Sequence, residues 1–126
     1  MLSRSPVAAT LPFSGLKSAQ AFYSKKLGLK RTAGSVKHGF LQFATGRGTE
    51  ILLFESESRK SDDTAATFEI ADLAKEMATL RKKKVVFVKY NLPGIKTVNG
   101  VATMGNHKVA WLKDPGGNIL ALHQAV

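Results

Sequence analysis

The sequence contains no cysteine. Disulfides and thiolate metal sites are thereby excluded, and a reducing cytoplasm is the expected setting. Acid is scarce: 9 Asp and Glu stand against 19 Lys and Arg, a net charge of +10. That balance repels cationic ligands at long range and favours anionic partners such as phosphorylated metabolites, carboxylates or nucleic acid. The charges are mostly scattered, so a solvated basic surface accounts for most of them. Long apolar runs are missing too. The opening "MLSRSPVAATLPF" is interrupted by Pro6 and Pro12, so neither a signal peptide nor a membrane span is expected. Only 8% of residues are aromatic, and no basic strand carries the aromatic rings that stack bases. What remains is 126 residues that are 44% hydrophobic. This suits one compact domain or two small modules sharing a core.

Periodicity divides the chain into two similar runs. A strand over 7–13 is followed by a helix over about 16–27, with Ser14 as its N-cap. Leu16, Ala19, Phe22, Tyr23 and Leu27 recur at helical spacing and form its buried stripe. Gly28 sits where a left-handed residue ends a helix. Strands are expected from Leu29, from Val36 and from Thr49, the last two joined by the turn "TGRG" at 45–48. The polar stretch "SESRKSDDT" at 56–64 has no period and connects the halves. A strand over 65–70 and a helix from Asp72, its N-cap, to about 83 come next, with Leu73, Met77 and Leu80 inward. Strands over 85–90, 107–114 and 118–124 complete the second run. The order is β-α-β-β-β, repeated once, with the loop at 91–102 absorbing the greater length of the second copy. Module 1 spans about 5–56, the linker 57–64 and module 2 about 65–126. His38 and His107 fall in matched places.

Three stretches carry a resemblance. "AQAFYSKKLGLK" at 19–30, "TFEIADLAKEMATLRKK" at 67–83 and "KDPGGNILALHQ" at 113–124 resemble the first helix, the second strand–helix unit and the final hairpin of the vicinal oxygen chelate superfamily. That superfamily includes glyoxalase I, extradiol dioxygenases, fosfomycin-resistance enzymes and bleomycin-resistance proteins. The hairpin has its own physical reason. Asp114-Pro115-Gly116-Gly117 supplies Asp at the first turn position, Pro at the second and glycines where positive φ is cheap. Asp114 is therefore a turn residue rather than a catalytic acid.

The resemblance implies an α+β fold of two βαβββ modules whose curled mixed sheets form a cleft, as in glyoxalase-like proteins. It also implies a metal held by one residue from each of four strands. In this chain those positions fall on Ala8, Leu52 (or Leu53), Ala65 and Ala121. Aliphatic side chains cannot coordinate a divalent ion, which needs carboxylate or neutral imidazole. Neither a metal nor any other cofactor is therefore expected. Glu50, Glu69 and His123 share faces with Leu52, Ala65 and Ala121, but moving all three into coordination would take concerted shifts of three strands.

The expected function is a metal-free glyoxalase/bleomycin-resistance-like protein that binds a small neutral or anionic molecule in an apolar cleft. Strand alternation adds Thr10, Phe54 and Thr67 to the aliphatic four. Phe40, Gln42 and Trp111 are walls, with core packing an equal reading for Phe40 and Trp111. His107 is a candidate polar contact, and His123 lies at the end of its strand. Two alternatives stay open: a divalent-metal-dependent lyase, isomerase or dioxygenase of the same superfamily, and a basic module for nucleic acid or an acidic partner. "RKKK" at 81–84 and "KK" at 25–26 motivate the latter. Helix dipoles explain cations at helix C-termini without a partner, so nucleic acid is not favoured. The resemblance and the open side of a curled sheet imply a homodimer.

Overall fold

A computed structural model of the chain describes residues 2–57 and 63–125. It forms two compact units, Met1–Lys60 with Pro115–Asn118 and Ser61–Asp114 with Ile119–Val126. The expected linker lies largely at residues 58–62, outside the described residues. The hairpin tip 115–118, expected in module 2, packs with the first unit.

In the first unit, β1 (Ala8–Phe13), α1 (Leu16–Ala21), β2 (Lys30–Ser35), β3 (Phe40–Ala44) and β4 (Glu50–Glu55) follow in order. The sheet runs β1-β4-β3-β2, with β1 parallel to β4 and the other pairs antiparallel. Alternation sends Leu11, Phe13, Leu41, Phe43, Ile51 and Leu53 to one face, where they are buried together with Leu16, Ala19, Phe22 and Tyr23 of the helix. The helix does not end at Ala21. It widens into a π-turn over Phe22–Lys26, closed by Leu27 N–H donating to the Phe22 carbonyl at 3.1 Å, which keeps Phe22 and Tyr23 inward. Gly28 then takes φ 73°, as the sequence requires.

Two expectations for this unit need correction. Ser14 does not cap the helix. The N-cap is Gly15 at φ 87°, and its N–H donates to Glu55 Oε2 at 2.9 Å, so a carboxylate from the end of β4 serves the helix start. The strand expected from Val36 begins only at Phe40. Residues 36–39 form the β2–β3 turn, where His38 N–H donates to the Ser35 carbonyl at 3.1 Å and the two side chains bond at 2.8 Å. Turn bonds, including Gly39 N–H to the Val36 carbonyl at 3.2 Å, hold the glycine-ended "VKHG", and only the Gly39 carbonyl reaches the sheet, accepting from Glu55 N–H at 2.9 Å.

The second unit repeats the plan: β5 (Thr64–Glu69), α2 (Leu73–Lys82), a short hairpin of β6 (Asn91–Leu92) and β7 (Ile95–Lys96), then β8 (Ala102–Met104), β9 (His107–Lys113) and β10 (Ile119–Ala125). Its sheet runs β5-β10-β9-β8, with β5 parallel to β10. Asp72 caps α2 by accepting from Lys75 N–H at 3.1 Å, and Leu73, Met77 and Leu80 are buried. The strand expected over 85–90 does not form. The outer edge of β9 is shared: β8 pairs with its first three residues, and residues 85–90 reach it only through a Phe87–Leu112 bridge and a Val88 N–H to Trp111 carbonyl bond of 2.8 Å. The second strand of this module's sheet in chain order is therefore Ala102–Met104, reached after the 91–102 stretch rather than directly after α2.

Candidate functional site

The helix covers one face of the first unit's sheet, and the register defines the other. Thr10, Leu52, Gln42 and Ala33 stand side by side in one row, and Pro12, Phe54, Phe40 and Ser35 in the next. Ala8 begins a third row with Glu50 and Ala44. All six candidates from this module, Ala8, Thr10, Phe40, Gln42, Leu52 and Phe54, thus share the face turned away from the core. Leu52, Phe40 and Gln42 are half-buried, while Ala8, Thr10 and Phe54 are exposed. The alternative position Leu53 is fully buried on the helix side, so of the two only Leu52 stands on this face.

This face is not purely apolar. Glu50 Oε2 accepts hydrogen bonds from Gln42 Nε2 at 2.7 Å and from Thr32 Oγ1 at 3.0 Å. Thr32 reaches it because the β2–β3 register shifts between Arg31 and Ala33. A bulge turns one extra side chain toward a face that regular pleating would deny it. Both donors are neutral amide and hydroxyl groups, and the carboxylate has further lone pairs beyond these two bonds. The sequence points to Gln42 as a wall and puts Glu50 on the same face as Leu52, but gives no sign of Thr32. A β-bulge leaves no signal in "KRTAGS" beyond its glycine.

The matching face of the second unit differs. Thr67, Ala121 and Trp111 form one row, yet Trp111 is 8% exposed and Ala121 3%. With Val109, Ala102 and Ile119 they form a cluster against which Val88, Tyr90 and Ile95 pack. The Tyr90 ring meets the indole edge to face, centroids 5.0 Å apart at 88°, and Trp111 Nε1 donates to Thr64 Oγ1 at 3.2 Å. Trp111 and Ala121 are thus core residues. The stretch after α2 supplies their cover, which the expectation of a regular strand there had hidden. Ala65 is displaced as well. Ile119 pairs with Thr64 and Leu120 with Ala66, so Ala65 is the extra residue of a bulge, and Thr64 lies beside the tryptophan.

Beyond this cluster the same face turns polar. Glu69, His123 and Val109 are in one row, and His107 in the next. Glu69 Oε2 lies 2.6 Å from His123 Nδ1, and His123 Nε2 lies 2.8 Å from His107 Nδ1. Ring centroids 5.0 Å apart show that the imidazoles meet end to end through these nitrogens. His107 and His123 are therefore brought together with Glu69, whereas His38 bonds only to Ser35 in its own turn.

No family model matches the sequence, and no curated protein matches it. Solved structures match over almost the whole chain. A glyoxalase/bleomycin resistance protein/dioxygenase superfamily member from Sphaerobacter thermophilus DSM 20745 has TM-score 0.75 at 21% identity, covering 98% of this chain and 99% of that one. The structure of TnmS3, an antibiotic binding protein from Streptomyces sp. CB03234, has TM-score 0.71 at 21% identity, covering 100% and 99%. Lactoylglutathione lyase from Agrobacterium tumefaciens has TM-score 0.71 at 17% identity, covering 96% and 93%. The chain has the vicinal oxygen chelate fold.

In this fold the metal positions implied by the resemblance do not fit an ion. Ala8 and Leu52 lie on the open face of the first unit, Ala65 in a bulge and Ala121 beneath Tyr90, and none has a donor atom. Among the described residues no group of three or more His, Asp or Glu side chains is arranged to hold a metal. Glu69 and His123 bond to each other, and Glu50 to Gln42 and Thr32. Among the described residues no helix is long and apolar enough to cross a membrane.

Proposed function

We propose that the chain binds a small, flat, largely apolar molecule on the open face of the first unit's sheet, without a metal ion. One observation carries this: the aromatic pair Phe40 and Phe54 and the side chain of Leu52 stand uncovered by the unit's own helix, beside a carboxylate held in place. Ligand sites are commonly built this way, with apolar walls and a few polar groups that fix orientation. Glu50, steadied by Gln42 and Thr32, accepts a hydrogen bond from a ligand N–H or O–H. It disfavours an anion in that row, so of the neutral and anionic ligands expected from the sequence, the neutral one suits this face. The aliphatic residues at the implied metal positions support binding rather than Lewis-acid chemistry.

A thermal-shift screen of flat neutral aromatics against their carboxylate and ammonium analogues tests the reading. Stabilisation by a neutral compound with a hydrogen-bond donor, lost in Leu52→Glu, is expected. Metal analysis of protein purified without chelator tests the other half. About one divalent ion per chain would favour the metalloenzyme alternative. A homodimer in a reducing compartment belongs to the same proposal, and light scattering on the eluting protein measures the oligomeric state.

A further inference from the structure

A groove of about 940 Å³ runs along the second unit between the end of α2 and the β6–β7 hairpin. It is lined by Arg81, Lys89 and Lys96 together with the apolar Val86 and Phe87, and among the described residues no carboxylate lines it. Among the described residues none of the three cations is ion-paired. Val86 is 82% exposed, pointing outward between buried Val85 and Phe87 as alternation in an extended segment dictates.

Arg81 is held in place before any ligand arrives. Its guanidinium lies 5.2 Å from the Phe87 ring centroid, and Nη2 donates to the Asn99 carbonyl at 2.8 Å. That carbonyl sits at the tip of a tight turn. Asn99 and Gly100 have φ 53° and 84°, and Val98 and Val101 exchange bonds of 2.8 and 3.0 Å, the signature of a type I′ turn. A Cβ on Gly100 would lie 3.0 Å from Arg81 Nη2 and 3.1 Å from Met77 Cε. The glycine therefore lets the turn close on the arginine. One donor of the guanidinium is engaged, and the others stay free for a planar anion.

We propose that this groove binds an organic anion with an apolar body, a carboxylate or a phosphate ester, whose charge pairs with Arg81 and Lys96 while its body lies on Val86. Charge complementarity selects the occupant: three cations stand beside the apolar Val86 and Phe87 in a chain of net charge +10, which draws anions toward it. A fixed Arg loses little freedom on binding and matches carboxylate and phosphate in two-point contact. The groove lies wholly in the second unit and is independent of the neutral seat on the first.

Titration with 1-naphthyl phosphate, 1-naphthoate, 1-naphthol and inorganic phosphate, followed by backbone amide shifts, tests the proposal. The two aromatic anions should bind with shifts at residues 81–100, and the stronger of them identifies the head group. Naphthol and phosphate alone should bind at least tenfold more weakly. The double variant Lys89→Gln/Lys96→Gln, on exposed side chains that do not support the fold, should weaken the anions about tenfold, and added salt should do likewise. Equal binding of naphthol, an unchanged affinity in the double variant, or shifts centred on Leu52 and Phe54 would overturn it. So would tight salt-sensitive binding of a single-stranded oligonucleotide without binding of the naphthyl anions, or a change of oligomeric state alone.

Discussion

Glu69 Oε2 lies 2.6 Å from His123 Nδ1, and that contact decides which ring nitrogen carries the proton. An ionised carboxylate only accepts, so Nδ1 bears hydrogen, and in the neutral ring Nε2 is left to accept from His107. Nitrogen chemical shifts of the imidazoles should show the Nδ1–H tautomer for His123. In Glu69→Gln the amide oxygen can still accept, but the preference should weaken and the two tautomers mix. Glu69 is 75% exposed and His123 21%, so the stability change should be no more than about 1 kcal/mol.

Trp111 is the single tryptophan of the chain, and Tyr90 covers it. Tyr90→Ala removes an edge-to-face ring from a packed cluster. A loss of about 2–3 kcal/mol is expected, with a red shift of the indole emission as water reaches the ring. Unchanged emission would mean that the tryptophan is shielded by something other than Tyr90.

The two strands that close the modules should respond unequally to the same change. Leu52→Glu puts a carboxylate on an open face and should cost about 1 kcal/mol. Ala121→Glu forces one beneath Trp111 and Tyr90 and should cost about 3–5 kcal/mol. Chemical denaturation of both variants measures the difference. Equal losses would contradict the account of which face is open.

Gly34 and Gly39 separate strain from collision. Both have positive φ, 84° and 81°. A Cβ on Gly34 would lie 2.2 Å from the Phe40 carbonyl oxygen, whereas nothing lies within 4 Å of one on Gly39. Gly39→Ala should cost about 1 kcal/mol, the left-handed penalty alone. Gly34→Ala should cost about 3 kcal/mol or more, because backbone must move.

Much of this fold was legible because period and punctuation agreed. Leu73, Met77 and Leu80 mark one helical stripe, Asp72 caps it, and Gly28 ends the first helix. The misread elements are those where tertiary pairing overrode local pattern. Residues 85–90 alternate like a strand, but β8 holds part of the edge they would need, so they cover Trp111 instead. Ser14 is a good capping residue, yet Glu55 is forty positions from Gly15 in sequence and takes over the helix start. On the open face, the resemblance supplied Ala8 and Leu52, and alternation added Thr10 and Phe54 to the same side. The place of Thr32 on this face and the displacement of Ala65 were not legible because each sits in a bulge, and register shifts are written in partner strands rather than in the segment itself.

Mapping where a neutral aromatic ligand binds tests the central claim most directly. Methyl and aromatic shifts recorded during titration should move saturably at Ala8, Thr10, Leu52, Phe40 and Phe54 in metal-free protein, and leave Trp111 and Ala121 in place. Saturable binding centred on Trp111 and Ala121, or binding that appears only when a divalent metal is added, would contradict it.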